Sequence, residues 1–245
     1  MSKALDIAEN LALLSTKYTS SSSTLNSVVL GASTTDHASR ALIGTFNGTI
    51  GSSATGNWGW KLLQTETVSS AVSHKDIGSS SLFSSTYDTY KIIFTDLGLA
   101  SDNSIYVLFK LGSATDFNTD PKYDYVGRSI GNNSTSLNAG KSDGQHFIKI
   151  NTYDIWGDNN ADNRMGASGE ITVPNPTQTG MSRLTYGNMV YLSSSGYLVE
   201  TTYVGGHGYQ GGTSTYQNPI TGIRIKGASQ NLTRGTIRLY GVVNV

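Results

Sequence analysis

The chain has 245 residues, 17 Lys+Arg against 17 Asp+Glu, and a formal net charge of zero. Only 14 % of it is charged, against roughly 25 % in an average soluble domain, while Ser, Thr, Gly and Asn supply 107 positions. A neutral, hydroxyl-rich chain argues against nucleic-acid binding, which needs a cationic surface; four His and four Glu argue against acid–base catalysis, and 14 Tyr with 6 Phe argue against disorder.

The first predicted element is a helix over Lys3–Leu14, with Leu5, Ala8, Leu11 and Ala12 on one face and Ser2 as its cap. Three turns are marginal alone, so this helix needs a surface to lie on, either its own domain or a partner. Asp6 and Glu9 interrupt its apolar stretch, so it does not read as a secretory signal. No stretch approaches 18 apolar residues, so no membrane insertion is expected. With no cysteine, a disulfide framework or thiolate site is excluded. Folding in a cytoplasm is the expectation.

From Tyr18 to Trp60 the only charges are Asp36 and Arg40. Thr19–Thr24 is a Ser/Thr run, and Gly44–Gly51 mixes Gly and Thr with isolated apolar residues. Such a segment cannot build a core, yet lacks the charge and Pro that keep linkers solvated. It reads as an extended arm laid along another chain, or as a Ser/Thr linker.

Beyond it the chain is strand after strand. Lys61–Thr67, Tyr87–Thr95, Ile105–Leu111, Tyr123–Ile130 and Gln145–Tyr153 come first, followed by Ser168–Val173, which runs into the stop Pro174-Asn175-Pro176. Arg183–Leu192, Tyr197–Val204, Ile220–Lys226 and Thr236–Val243 complete about ten strands. The last two read as a hairpin, with Ile223, Ile225, Ile237 and Leu239 inward and Arg224, Lys226 and Arg238 outward. The expected fold is all-β: an antiparallel jelly-roll β-sandwich over 61–245, preceded by a helix and arm over 1–60.

Three stretches carry a resemblance: Trp60–Val68 followed by Tyr87–Phe94, then Gly166–Pro176, then Ile223–Ile225 with Gly235–Val242. Together, over roughly residues 58–245, they resemble the C-terminal β-domain of virion proteins from tailed phages of aquatic bacteria. The resemblance implies a particle protein of tail-fibre or capsid-decoration type, a homotrimer on the virion surface, bound to other virion proteins. It brings no catalytic residues and no cofactor. Leu5, Leu11 and Leu14 are then the expected attachment contacts. A bacterial carbohydrate-binding module is the alternative of a different class.

Candidate chemistry is sparse. Asp158, Asn160 and Asp162 have the spacing of calcium-loop positions, but Asn163 stands where the turn Gly belongs and Gly169 where the bidentate Glu belongs. An Asx-rich turn is expected, with no metal. Asp154 and Asp158 flank Trp156 in the manner of a glycosidase pair, yet nothing distinguishes them from other loop carboxylates. The Gly-rich stretch Tyr203–Pro219 carries His207, Tyr209, Gln210 and Tyr216, residue types that grip sugars or a partner surface. With Trp156 they are the expected contacts to a host-surface glycan; the competing reading folds Tyr209 and Tyr216 back over the sandwich. His37, His74 and His146 share no ligand spacing.

Overall fold

The computed structural model describes residues 59–132, 137–159, 166–180, 182–208 and 218–242. The expected helix with Leu5, Leu11 and Leu14, and the low-charge arm up to residue 58, lie outside the described residues. The chain divides at Gly59/Trp60, and the unit Trp60–Val243 holds every strand described below.

Among the described residues the protein is all β, with no helix. Twelve strands form: β1 (Trp60–Val68), β2 (His74–Ile77), β3 (Thr89–Leu99), β4 (Ile105–Leu111), β5 (Tyr123–Gly131) and β6 (Asn138–Gln145), then β7 (Ile148–Lys149), β8 (Ala167–Pro174), β9 (Arg183–Leu192), β10 (Leu198–His207), β11 (Ile220–Gly227) and β12 (Leu232–Val242). They build an eight-stranded sheet, β1-β12-β3-β8-β9-β10-β5-β6, and a four-stranded sheet, β2-β11-β4-β7. Every pairing is antiparallel.

The two sheets enclose one core. The large sheet contributes Tyr90, Ile92 and Phe94 of β3, Ile171 and Val173 of β8, and Ile237 and Leu239 of β12. The small sheet answers with Ile77, Val107, Phe109, Ile223 and Ile225. In β3 the burial alternates strictly from Thr89 to Phe94, as a strand with one face on a core must. The β3 ring Tyr90 also secures the loop before its strand: its hydroxyl lies 2.9 Å from both the Leu82 and Ser84 carbonyls and accepts from the Ser84 N–H at 2.8 Å.

The expected terminal hairpin is not formed. The four isoleucine and leucine positions are buried as expected, but β11 pairs with β2 and β4 while β12 pairs with β1 and β3. The two strands face each other across the core instead of sharing a ladder. Inward-facing side chains look the same in either arrangement, so alternation could not separate them. The expected strand Gln145–Tyr153 is also corrected: its ends differ, Gln145 closing β6 and only Ile148–Lys149 pairing with β4.

The small sheet is half as wide as the large one, so the inner face beyond β8 needs other cover. The segment around β7 provides it. Ile148 presses on β10 at Gly205, where a Cβ would stand 2.5 Å from its Cγ2. Thr152 Oγ1 then donates to Ser129 Oγ of β5 at 2.6 Å, and the Tyr153 N–H donates to the Tyr191 hydroxyl of β9 at 3.1 Å. Tyr191 Oη and Thr201 Oγ1 of β10 lie 3.3 Å apart. Part of the abundant Ser and Thr is therefore interior, paired hydroxyl to hydroxyl.

Candidate functional site

The outer face of the large sheet departs from the rule that the solvent side of an antiparallel sheet is polar. Leu184, Tyr186 and Val190 of β9, Leu198 and Val204 of β10, and Val126 and Ile130 of β5 are each 43–55 % exposed. Register brings them together: Tyr186 stands opposite Val204, and Val204 opposite Val126. The polar row Asn188-Thr202-Arg128 separates this group from Val190 and Ile130, which flank Glu200; exposed apolar side chains on three adjacent strands mark a candidate interaction surface.

One cross-strand row runs the full width of the sheet. From β1 to β6 it reads Leu62, Tyr240, Lys91, Thr172, Tyr186, Val204, Val126 and Lys141. Its β1–β8 half is tied up internally. Lys91 Nζ lies 2.9 Å from both Glu170 carboxylate oxygens and 4.7 Å from the Trp60 ring centroid, and Trp60 packs on Tyr240 at 6.0 Å. The β9–β5 half is left open.

Two recesses flank this open half. One, of about 330 Å³, lies among Val126, Leu184, Val204 and the Gly205-Gly206 backbone. The other, of about 570 Å³, lies among Ile130, Val190, Leu198 and Glu200. Both are shallow depressions in an apolar face, with few polar groups to orient a small ligand.

The residues singled out from the sequence are dispersed. His207 closes β10 with its ring in the interior, 1 % exposed and edge-on to Tyr123 at 4.5 Å. Burial pulls the imidazole down to about 4, against smaller opposing effects of Asp120 and Asp124, so the ring is neutral at pH 7. Trp156 is half-buried, its backbone N–H donating to the Leu192 carbonyl at 2.9 Å and its ring against the Gly196 turn. Since His207 pairs with Arg183 and Trp156 with Leu192, they stand at opposite ends of β9, about 30 Å apart at 3.4 Å per residue. Tyr209, Gln210 and Tyr216 lie outside the described residues.

The carboxylate pair is likewise split by its partners. Asp154 is exposed, accepts from Ser104 Oγ at 2.7 Å and lies 4.0 Å from Lys149 Nζ. Asp158 is only 18 % exposed and accepts from Thr233 Oγ1 and from Arg234, whose Nε also donates to Asp96 at 3.0 Å. That carboxylate is committed to a structural clasp. Asn160 and Asp162, the other calcium-spaced positions, lie outside the described residues.

Sequence reading missed the open apolar face, although a signal exists. In β9 apolar side chains occupy both parities: Leu184, Tyr186 and Val190 on one, Met189 and Tyr191 on the other. Such a strand wants cover on two sides. Comparison with known proteins adds nothing to the geometry: no protein-family model, no curated protein and no solved structure matches the chain.

Proposed function

We propose that the chain is a non-enzymatic structural protein of a tailed-phage particle, a homotrimer held to tail or capsid by the residues before Trp60. The sandwich faces outward and makes weak, repeated contacts with a host-surface glycan. Three sites per trimer, repeated around a particle, multiply a weak affinity by avidity.

The observation that carries this reading is the strand order. Strands β1, β12, β3 and β8 run side by side in one sheet, and β2, β11, β4 and β7 in the other. That alternation of early and late strands between two sheets supports a jelly roll, an architecture common in viral capsid and lectin domains. The pairs β5–β6 and β9–β10 then read as hairpins inserted into the roll, which widen one sheet. The engagement of Asp158 by Arg234 and Thr233 supports the non-enzymatic part against a glycosidase built on Asp154 and Asp158, since glycoside hydrolysis uses two carboxylates free to act.

Capsid decoration is the second reading, favoured by the open apolar face, which suits protein contact better than a sugar. Purified particles decide. The protein is expected among virion components by mass spectrometry, and particles lacking it are expected to fail in adsorption. Normal adsorption with heat-sensitive shells would transfer the protein to the decoration class. Absence from particles, with glycan binding by a monomer, would replace both readings with a carbohydrate-binding module.

A further inference from the structure

We propose that a polar recess on the outer face of the small sheet binds an uncharged sugar ring. The inference deepens the glycan reading above, on which it rests, and names the site that reading lacks.

The recess follows from register. Ile223 and Ile225 of β11 point into the core, so Gly222 and Arg224 point outward. Arg224 stands between Asp76 of β2 and Leu108 of β4, and Gly222 stands opposite Lys110 of β4. Gly222 has no side chain, so the outer face is hollow at that point. Asp76 with Gly78-Ser79-Ser80 borders the hollow on one side, and Lys110, Phe117 and the Gly112-Ser113-Ala114 turn border it on the other, around about 340 Å³. Recesses that hold small ligands run from about 300 to 1,000 Å³, so this one suits a single sugar ring or a short oligosaccharide.

The groups around the recess are held in place. Arg224 donates to both Asp76 carboxylate oxygens, at 2.7 and 2.9 Å, and lies over the Phe117 ring at 4.2 Å from its centroid. The loop carrying Phe117 is pinned next to it: the Asn118 N–H donates to the Phe109 carbonyl at 2.8 Å, and the Asn118 carbonyl accepts from the Tyr123 hydroxyl at 3.1 Å. The Gly112 N–H donates to the Pro219 carbonyl at 2.7 Å, which sets the end of the Gly-rich stretch singled out from the sequence beside the rim. Groups fixed beforehand lose little freedom when a ligand arrives.

Three features select the ligand. The first is charge: the lining carries one acid, Asp76, and one base, Lys110, so it favours neither an anion nor a cation. The second is hydrogen bonding in both senses, since Asp76 accepts, Lys110 donates, and the Ser80 and Ser113 hydroxyls, both on exposed residues, can do either. The third is the half-buried Phe117 ring, an apolar surface set among these polar groups. A neutral sugar presents the matching combination, with hydroxyls that donate and accept around its rim and C–H groups on its faces. The apolar recesses of the large sheet offer few such partners.

The test is saturation-transfer difference NMR on the full-length chain. The probes are the methyl glycosides of glucose, galactose, mannose and N-acetylglucosamine, with glucuronate and glucosamine as charged controls. At least one neutral glycoside is expected to bind, more tightly than either control. Phe117→Ala and Asp76→Asn are each expected to weaken that binding about tenfold, and Phe117→Tyr to retain it, all with unchanged far-UV circular dichroism. Lys110→Met, which keeps the side-chain stem and removes the donor, is expected to weaken it about fivefold and serves where Phe117→Ala does not fold. Neutral-sugar binding indifferent to these substitutions overturns this site and leaves the glycan reading standing. Tighter binding of a charged control overturns the uncharged-ligand assignment. No binding of any sugar overturns the site and the glycan reading together.

Discussion

The Tyr203 hydroxyl donates to the Glu170 carbonyl at 3.0 Å, reaching from β10 to β8 across the intervening strand β9. It can do so because β9 carries Gly187 at the crossing, opposite Tyr203 in register. A Cβ at residue 187 would lie 1.9 Å from the Glu170 carbonyl oxygen and 2.7 Å from the tyrosine hydroxyl. Tyr203 is 2 % exposed, and burial pushes its phenol well above the usual range, so it remains a donor at any working pH. Gly187→Ala is expected to destabilise the fold by about 2–3 kcal/mol through forced displacement, and Tyr203→Phe by about 1 kcal/mol through one lost hydrogen bond. Urea midpoints check the ranking. Equal midpoints for the two variants would mean the ring can move off β9 without cost.

Arg234 holds Asp96 and Asp158 together, linking the bulged end of β3, the start of β12 and the loop that carries Trp156. Asp96 adopts a left-handed φ of 52°, a conformation its bonds to Arg234 and to the Gly166 N–H at 3.1 Å help to hold. Asp158 is the sheltered member and Asp96 the exposed one, with side-chain exposures of 18 % and 59 %. Arg234→Met strands Asp158 and is expected to cost about 3 kcal/mol. Asp154→Ala, at a carboxylate 55 % exposed, is expected to cost under about 1 kcal/mol. Chemical denaturation of both variants tests this; a silent Arg234→Met would remove the clasp from the list of stabilising features.

The buried His207 makes stability fall with acid. Its folded-state value, about 4, lies below the ordinary 6.5 because burial disfavours the charged ring. Between those limits the unfolded chain binds a proton that the folded chain refuses, so unfolding is favoured progressively as pH drops. The contribution is complete above pH 6.5 and is lost toward pH 4, at about 1.4 kcal/mol per pH unit and at most about 3 kcal/mol in total. His207→Gln is expected to flatten the stability profile between pH 6.5 and 4.5. An unchanged slope in that variant would show that carboxylates alone govern acid sensitivity.

Tyr191 is the hub of the interior hydroxyl group, accepting from the Tyr153 N–H and touching Thr201 Oγ1. Tyr191→Phe leaves a sheltered amide without its acceptor, which costs about 1–3 kcal/mol. Amide hydrogen exchange at Tyr153 is expected to accelerate in that variant, while exchange in β1 and β2 stays as in wild type. Protection retained at Tyr153 would mean that water replaces the phenol.

The all-β class and most strands were legible because β-branched and aromatic residues recur at period two between Gly, Asn and Pro stops. Ile105–Leu111 and Arg183–Leu192 form with the expected bounds. Strands β2 (HKDI) and β6 (NAGKSDGQ) were not legible, since neither carries an apolar alternation. They exist because neighbours β11 and β5 offer them free ladder edges. Ladder partnership is a long-range property that a local composition cannot report.

Amino-acid order by itself determined the neutral, hydroxyl-rich chemistry, the chain of antiparallel strands and which side chains share a face. Tertiary structure decided which strands share a sheet: β11 and β12 carry the same inward pattern yet lie in opposite layers. It also decided that His207 is interior while Tyr186, Val204 and Val126 are left open. The physical reason is that alternation divides a strand into two faces without saying what covers either one. Cover depends on sheet width, and here one sheet of eight strands meets another of four, so burial and exposure are settled only when the layers are assembled.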